Sequence, residues 1–467
     1  MVNVHIHHYR GKNIHFIGIG GISMSGLAHI LLSNGYKVSG SDMKSSPITD
    51  HLQEEGVLFH EGHKAEYVEG ADLVVHTAAI KDDNPEMVQA RKLRIPIIDR
   101  ATLLGQIMEQ YPHAIGVSGT HGKTTVTSII STIMEQAGMD PTIHIGGELD
   151  LIGGSTKAGK GPYFITEACE YVESFLKFRP TIAVVLNIEE DHLDYFRDLD
   201  HIYQSFKKYV ALVPPEGYLV GNGDDPLVQR LMKESQCRII SYGFHPHCDW
   251  TAQDVTWNVS GYPSFTAYYK GKEFGRFDLT VPGQHNVYNA LAAIATVSIF
   301  QIPAEKIQES IQHYRGAHRR FERQGEIDGV TIIHDYAHHP TEIRATLKAA
   351  SLLPHSRMWC VFQPHTYSRT KKLFDEFLTA FDGTNSLIIT DIYAAREKNT
   401  WDIHAKDLAK AIEATGKQCI YISSFEDIAQ YLRTNWQPGD IVLTLGAGDI
   451  EGIGKILLKE SKKTVCQ

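Results

Sequence analysis

The chain has 467 residues, room for roughly three domains at about 150 residues each. Its residues are 42% hydrophobic and 21% charged, a balance that fills globular cores and excludes a disordered or fibrous chain. Lys and Arg number 45 against 55 Asp and Glu, a net charge of −10, which disfavours a nucleic-acid coat. No apolar run approaches the ~20 residues that span a bilayer, and the N-terminus lacks the separate hydrophobic segment of a secretion signal. Cysteines stand at 169, 237, 248, 360, 419 and 466 without a CxxC pair, and read as reduced thiols of a cytoplasmic protein.

In the first ~110 residues, the runs 12–20, 36–42, 57–61, 71–79 and 95–99 read as buried parallel strands, with crossover helices between them. GIGGISMSG (18–26) follows the first strand and opens a helix, and Asp42 ends the next strand. This is a dinucleotide-type turn with Ser23 at its third glycine position; it suits a nicotinamide cofactor, another nucleotide diphosphate, or tight strand–helix packing alone. Residues 109–113 suit a linker.

A second alternation starts with AIGVSG (114–119) and continues through strands at 163–166 and 181–187. GVSGTHGKTT (116–125) places backbone N–H groups around an anion at a helix N-terminus, with Lys123 for phosphate and the Thr124 hydroxyl for magnesium. The strict GxxxxGK[ST] spacing fails at Val117, so Gly119 and Gly122 carry the turn. Glu167 and His192 follow later strands and should share its rim, close to Glu170, Glu189, Asp191 and Asp194. Residues 251–282 alternate with Gly and Pro turns and predict an antiparallel insert before a helix at 286–300. A third set of strands, from VTIIHDY to DIVLTLGAG, completes three α/β units. HRRFER (318–323) reads either as a solvated basic turn or as a phosphate contact. His5, His7 and His8 have metal-like spacing but suit surface positions.

GIGGISMSG, GTHGKTT, EACE, NIEEDHLD, GQHNVYNALAA, HRRFE, DYAHHPTE, FQPHTYSRT and GAGDI follow in order from about residue 12 to 455. In this series the chain resembles the Mur ligase family over nearly its whole length. The resemblance implies an α/β, three-domain architecture: a Rossmann-like UDP-substrate domain (1–110), a central P-loop ATPase domain (111–316) and a Rossmann-like amino-acid domain (317–467). It implies an ATP- and Mg2+-dependent ligase of peptidoglycan precursor synthesis, joining L-alanine to the lactyl carboxylate of UDP-N-acetylmuramate through an acyl phosphate. FQPHTYSRT favours this branch over the peptide-recycling one. No nucleic acid and no membrane insertion are implied, and the oligomeric state stands open between monomer and weak homodimer.

By the same resemblance, Gly18, Gly20, Gly21, Ser23, Met24, Ser25, Ser41, Asp42 and His63 hold the UDP-linked substrate. Gly119, Thr120, His121, Gly122, Lys123, Thr124 and Thr125 hold the ATP phosphates, and Thr124, Glu167 and His192 the magnesium. His285, Asn286 and Asn289 match the adenine side, while Arg319, Arg320 and Asp335 reach the nucleotide from the third domain. His338, His365 and Arg369 match the amino-acid site; Lys123, Glu167, His192, Arg319 and His338 carry the catalysis. Cys169 and Thr366 depart from the acid and the arginine that many members have there.

Overall fold

The computed structural model describes residues 4–193, 195–395 and 397–464; Asp194 and Cys466 lie outside them. The chain divides into two compact units, the first comprising Met1–Glu189, Asp200–His247 and Ala292–Ile302, the second Glu190–Leu199, Cys248–Leu291 and Pro303–Gln467.

In the first unit, β1 (Asn13–Ile17), β2 (Lys37–Asp42), β3 (Leu58–Glu61), β4 (Leu73–His76) and β5 (Ile97–Asp99) form an all-parallel sheet ordered β3-β2-β1-β4-β5. Ile14, Phe16 and Ile17 of the central strand are fully buried, as expected of a parallel strand covered on both faces. The helix Pro47–Glu54 starts on a Ser46–Thr49 capping box, and Pro85–Lys92 starts on Asn84; each has proline in its first turn, where a missing N–H is harmless. The strand His113–Ser118 begins at His113, so the expected linker is one residue shorter than the sequence suggests.

A second set of strands in this unit comprises β6 (His113–Ser118), β7 (Thr142–Leu149), β8 (Gly154–Lys157), β9 (Tyr163–Glu167), β10 (Ile182–Val185), β11 (Tyr218–Asn222) and β12 (Arg238–Gly243). Their order is β12-β11-β10-β6-β9-β7-β8, and only the β7–β8 pair among them is antiparallel. The carboxyl ends of β10, β6 and β9 therefore lie side by side, the crevice where open α/β sheets bind ligands. The helix Ile22–Ser33 leans on the edge hairpin β7–β8 through Gly26, where a Cβ atom would stand 2.1 Å from Thr156 Oγ1 and 3.0 Å from His144 Nδ1. Gly26→Ala is expected to destabilise the chain by about 1–3 kcal/mol, as overpacking does; an unchanged thermal midpoint would contradict this packing.

In the second unit, β13 (Trp250–Trp257), β14 (Pro263–Tyr269) and β15 (Lys272–Asp278) form the expected antiparallel meander around buried Trp250, Phe265 and Phe277. The strands β16 (Glu322–Ile327), β17 (Val330–Asp335), β18 (Met358–Phe362), β19 (Ser386–Ile389), β20 (Cys419–Tyr421) and β21 (Ile441–Leu445) run in the order β16-β17-β21-β18-β19-β20. All these pairs are parallel except β16–β17. The last residues of HRRFER thus lie in an edge strand, and only its beginning is a turn. The five cysteines among the described residues are unpaired, and no described helix is long and apolar enough to cross a membrane.

Candidate active site

The glycine turn after β6 is built for close approach. Gly119 has φ 142° and Gly122 φ 87°, and a Cβ at Gly119 would come within 2.9 Å of Leu186 Cβ. Gly122 caps the helix Lys123–Gln136 in the left-handed region, which costs glycine little. The turn is tied to the end of β10: Thr120 N donates to Asn187 O (3.2 Å), His121 N to Asn187 Oδ1 (2.8 Å), and Asn187 Nδ2 back to His121 O (3.1 Å). Glu189 N donates to Thr120 Oγ1 at 2.9 Å. Held this way, the turn is fixed in place ahead of a helix N-terminus, where an anion is favoured.

Lys123 Nζ donates to the Gly119 carbonyl, to Thr120 O at 3.1 Å and to both oxygens of Glu170 at 3.1 and 3.2 Å. Burial alone would lower its pKa, but the Glu170 carboxylate, with Cys169 and Glu167 near it, raises it above the ordinary lysine value, so the ammonium stays charged. Glu167 ends β9 and accepts the N–H of Gly146 at 2.8 Å. The neighbouring Gly147 stands against Thr124: a Cβ there would be 3.0 Å from Thr124 Cγ2, and one at Gly146 would be 3.2 Å from Glu167 Oε1. Thr124 and Glu167 therefore converge on one glycine pair in β7 that the sequence reading missed. Burial pushes the Cys169 thiol up to about 11, with Glu170 adding to the shift, which leaves it neutral.

In the N-terminal turn, Gly18 and Ile19 donate their N–H groups to Ser41 O at 2.8 and 3.0 Å. Asp42 does not project from the turn. Its Oδ2 accepts Gly20 N at 2.8 Å and its Oδ1 Met43 N at 2.7 Å, so the carboxylate closes the turn it was expected to accompany. Ser23 lies between Arg100 Nη1 (2.9 Å) and His144 Nε2 (2.8 Å), which gives its hydroxyl two partners where glycine would have none. His144 is lowered to about 3 by burial and by Arg100. Gly21 caps the helix that carries Ser23, Met24 and Ser25; Ser25 N bonds Gly21 O at 2.9 Å. His5 pairs with Glu109 at 2.6 Å and supports the short helix Ile6–Tyr9.

The second unit gathers the residues matched to the amino acid. The His338 and His365 rings are 5.7 Å apart, and Arg369 Nη1 donates to His365 Nδ1 at 3.1 Å. Arg369 also donates from Nη2 (2.8 Å) and Nε (3.3 Å) to Asp191 Oδ1, so the loop holding His192 is anchored to FQPHTYSRT. His192 itself has φ 51°. His338 Nδ1 lies 3.0 Å from Tyr336 O, which requires the proton on Nδ1 and leaves Nε2 as the acceptor. Burial lowers His338 to about 4, opposed by Glu342 and helped by Arg369, so the ring is neutral at pH 7. Burial and the His338 charge lower His365 to about 3.

Asp335 accepts Phe321 N and Ala337 N, each at 2.7 Å, and so shapes both the HRRF and the DYAHH turns. Arg319 and Arg320 each stack over Tyr336 with 4.9 Å to the ring centroid. Arg319 Nη2 donates to the Gly448 carbonyl, which ties HRRF to the GAGDI turn, and its Nε meets Glu451 just beyond that turn at 3.1 Å. At the head of the helix Gln284–Val297, Asn286 Nδ2 donates to Pro282 O (2.7 Å) and Asn289 Nδ2 to Asn286 Oδ1 (3.0 Å). Burial lowers His285 to about 4.

Three family models match the chain: "Mur ligase family, catalytic domain" over residues 13–112, "Mur ligase middle domain" over 117–297 and "Mur ligase, glutamate ligase domain" over 319–448. A UDP-N-acetylmuramate–L-alanine ligase of Caldanaerobacter subterraneus is 53% identical over 452 residues, covering 97% of this chain and 98% of the relative. One of Acetivibrio thermocellus is 53% identical, covering 97% and 96%. The crystal structure of UDP-N-acetylmuramate-alanine ligase from Thermotoga maritima superposes with a TM-score of 0.81 at 27% identity, covering 97% and 99%. A murein peptide ligase of Psychrobacter arcticus gives 0.70 at 25% identity, covering 96% and 98%. The fold and these matches define a three-domain α/β enzyme with a P-loop ATPase middle domain. The chain belongs to the Mur ligase family.

Proposed function

We propose that the enzyme joins L-alanine to the lactyl carboxylate of UDP-N-acetylmuramate at the expense of ATP, in the cytoplasm. The observation that carries this is the 53% identity, over 97% of the chain, to relatives bearing that activity's name. We place its domain boundaries near residues 110 and 316. The GTHGKTT turn takes the ATP phosphates, the N-terminal turn takes the UDP moiety, and His338, His365 and Arg369 take the amino acid. Arg319 and Arg320 contribute cationic charge to the nucleotide.

A carboxylate is a poor acyl donor, so its oxygen first attacks the γ-phosphorus and ADP leaves, giving an acyl phosphate. The L-alanine amine then attacks the acyl carbon, and inorganic phosphate departs as the amide forms. Lys123 sits where charge develops on the transferring phosphoryl oxygens. Neutral His338, with Nε2 as an acceptor, suits the proton released by the amine. Thr124 and Glu167 offer hard oxygen donors suited to magnesium, with His192 as the third expected ligand. Magnesium, when bound, supplies charge neutralisation on the phosphates.

Incubating the enzyme with ATP, UDP-N-acetylmuramate and single acceptors tests the assignment. Phosphate release should require L-alanine, and the nucleotide product should gain the mass of one alanine residue. Release that ignores the acceptor, or product formed only with a tripeptide, would contradict it.

A further inference from the structure

Beneath the N-terminal glycine turn lies a charged cluster that neither the phosphate site nor the amino-acid site uses. Glu86 stands in the first turn of the helix Pro85–Lys92, where Asn84 Oδ1 accepts its N–H at 2.9 Å. Its side chain is fully buried. Oε1 accepts from Ser41 Oγ (2.7 Å) and His63 Nδ1 (2.6 Å), and Oε2 from His15 Nε2 (2.6 Å). His15 is fully buried as well, and its Nδ1 meets Ser39 Oγ at 3.0 Å.

A buried carboxylate pays several kcal/mol in lost hydration, and apolar replacements of buried ionic groups are often neutral or stabilising. Packing alone gives no reason for Glu86. Its partners do, because Ser41 is the residue whose carbonyl seats the Gly18 and Ile19 N–H groups. His63, 11% exposed, is held by Nδ1 with Nε2 turned away from Glu86. Although burial acts to raise it, the donors from His15, Ser41 and His63 hold the Glu86 carboxyl below its ordinary range, so it is an acceptor at every one of these contacts.

We propose that Glu86 is a positioning residue of the nucleotide-substrate site, fixing the Ser41 hydroxyl and aiming His63 Nε2 at a bound nucleoside diphosphate. This rests on the reading that the N-terminal turn takes the UDP-linked substrate. A carboxylate behind an imidazole sets both its tautomer and its direction.

The test is the affinity of the full chain for UDP and, in parallel, for ADP, measured by calorimetry. Glu86→Gln keeps the shape and removes the charge; it should weaken UDP about tenfold and leave ADP unchanged, with much less further effect in a His63→Ala background, as coupled neighbours behave. Unchanged UDP affinity, parallel loss of both ligands, or simple additivity with His63→Ala would overturn the proposal. If Glu86→Gln does not fold, Ser41→Ala serves: it should weaken UDP several-fold and spare ADP, and no change would overturn the proposal. An unmodified chain that binds ADP but no UDP would remove the substrate reading and this inference with it. Normal UDP binding that is insensitive to Glu86 would remove this inference alone.

Discussion

Lys123→Ala is expected to lower turnover by about 10³ or more, the loss seen when a preorganised charge on a transferring group is removed. Gly119 and Gly122 adopt positive φ, and the lysine after them folds across the mouth of the turn onto two of its carbonyls and onto Glu170. An ammonium so placed is ready for the charge of a triphosphate and needs little reorganisation to meet it. The substitution also strands Glu170, which is only 2% exposed, so some stability must go with the activity. Turnover is therefore to be normalised to folded protein, and Lys123→Ala with Glu170→Gln should recover stability but not rate. Because the Lys123 pKa is raised, the ion pair's contribution is complete below the unfolded value of about 10.4 and fades only as pH rises through the higher folded value. The variant's stability deficit should thus be flat from pH 6 to 8. Near-normal turnover of Lys123→Ala would move the ATP site elsewhere.

The strand ends were legible because chemistry follows directly on buried apolar runs. HAIGVS leads into the glycine turn and YFIT into Glu167, and parallel pairing of β6 and β9 makes those ends neighbours. The cluster His338, His365 and Arg369 was reachable through family motifs, not through spacing. The Gly146–Gly147 pair was hidden for a physical reason: Gly-Gly within TIHIGGEL reads as a turn, while in the fold it lies inside β7 to make room for Thr124 and Glu167. Glu86 was hidden by distance, since its partners His63, Ser41 and His15 lie 23, 45 and 71 residues away and no local pattern links them. Asp42 has a structural use that its place in the sequence did not reveal. It ends its strand beside the glycine turn, and a backbone N–H of that turn, 2.8 Å away, takes one of its oxygens.

Arg369 should show the second large effect. Its guanidinium and the Asp191 carboxylate are 11% and 10% exposed, and two of its nitrogens converge on one Asp191 oxygen. Removing one member of such a pair leaves a buried charge uncompensated, at about 3–5 kcal/mol. Arg369→Ala should therefore lower the unfolding midpoint clearly and, on the proposal that Arg369 meets the amino-acid carboxylate, raise the KM for L-alanine about 10²-fold while the KM for ATP changes little. Arg369→Lys should rescue neither fully, because an ammonium cannot span Asp191 and His365 as the planar fork does. Asp191→Asn in the Arg369→Ala background removes the stranded charge, so it should restore stability and leave the KM high. Burial acts to raise the Asp191 carboxyl, but Arg369, His192 and His338 pull it well below the usual carboxylate range. With a depressed folded pKa, the stabilisation is complete above the unfolded value of about 3.9 and disappears only as pH falls towards the folded one. The stability gap between the unmodified enzyme and Arg369→Ala should accordingly be constant at neutral pH and close in strong acid. A double variant that regained both stability and L-alanine affinity would show that Arg369 serves only to hold the Asp191 loop, and that the substrate carboxylate is met by other groups.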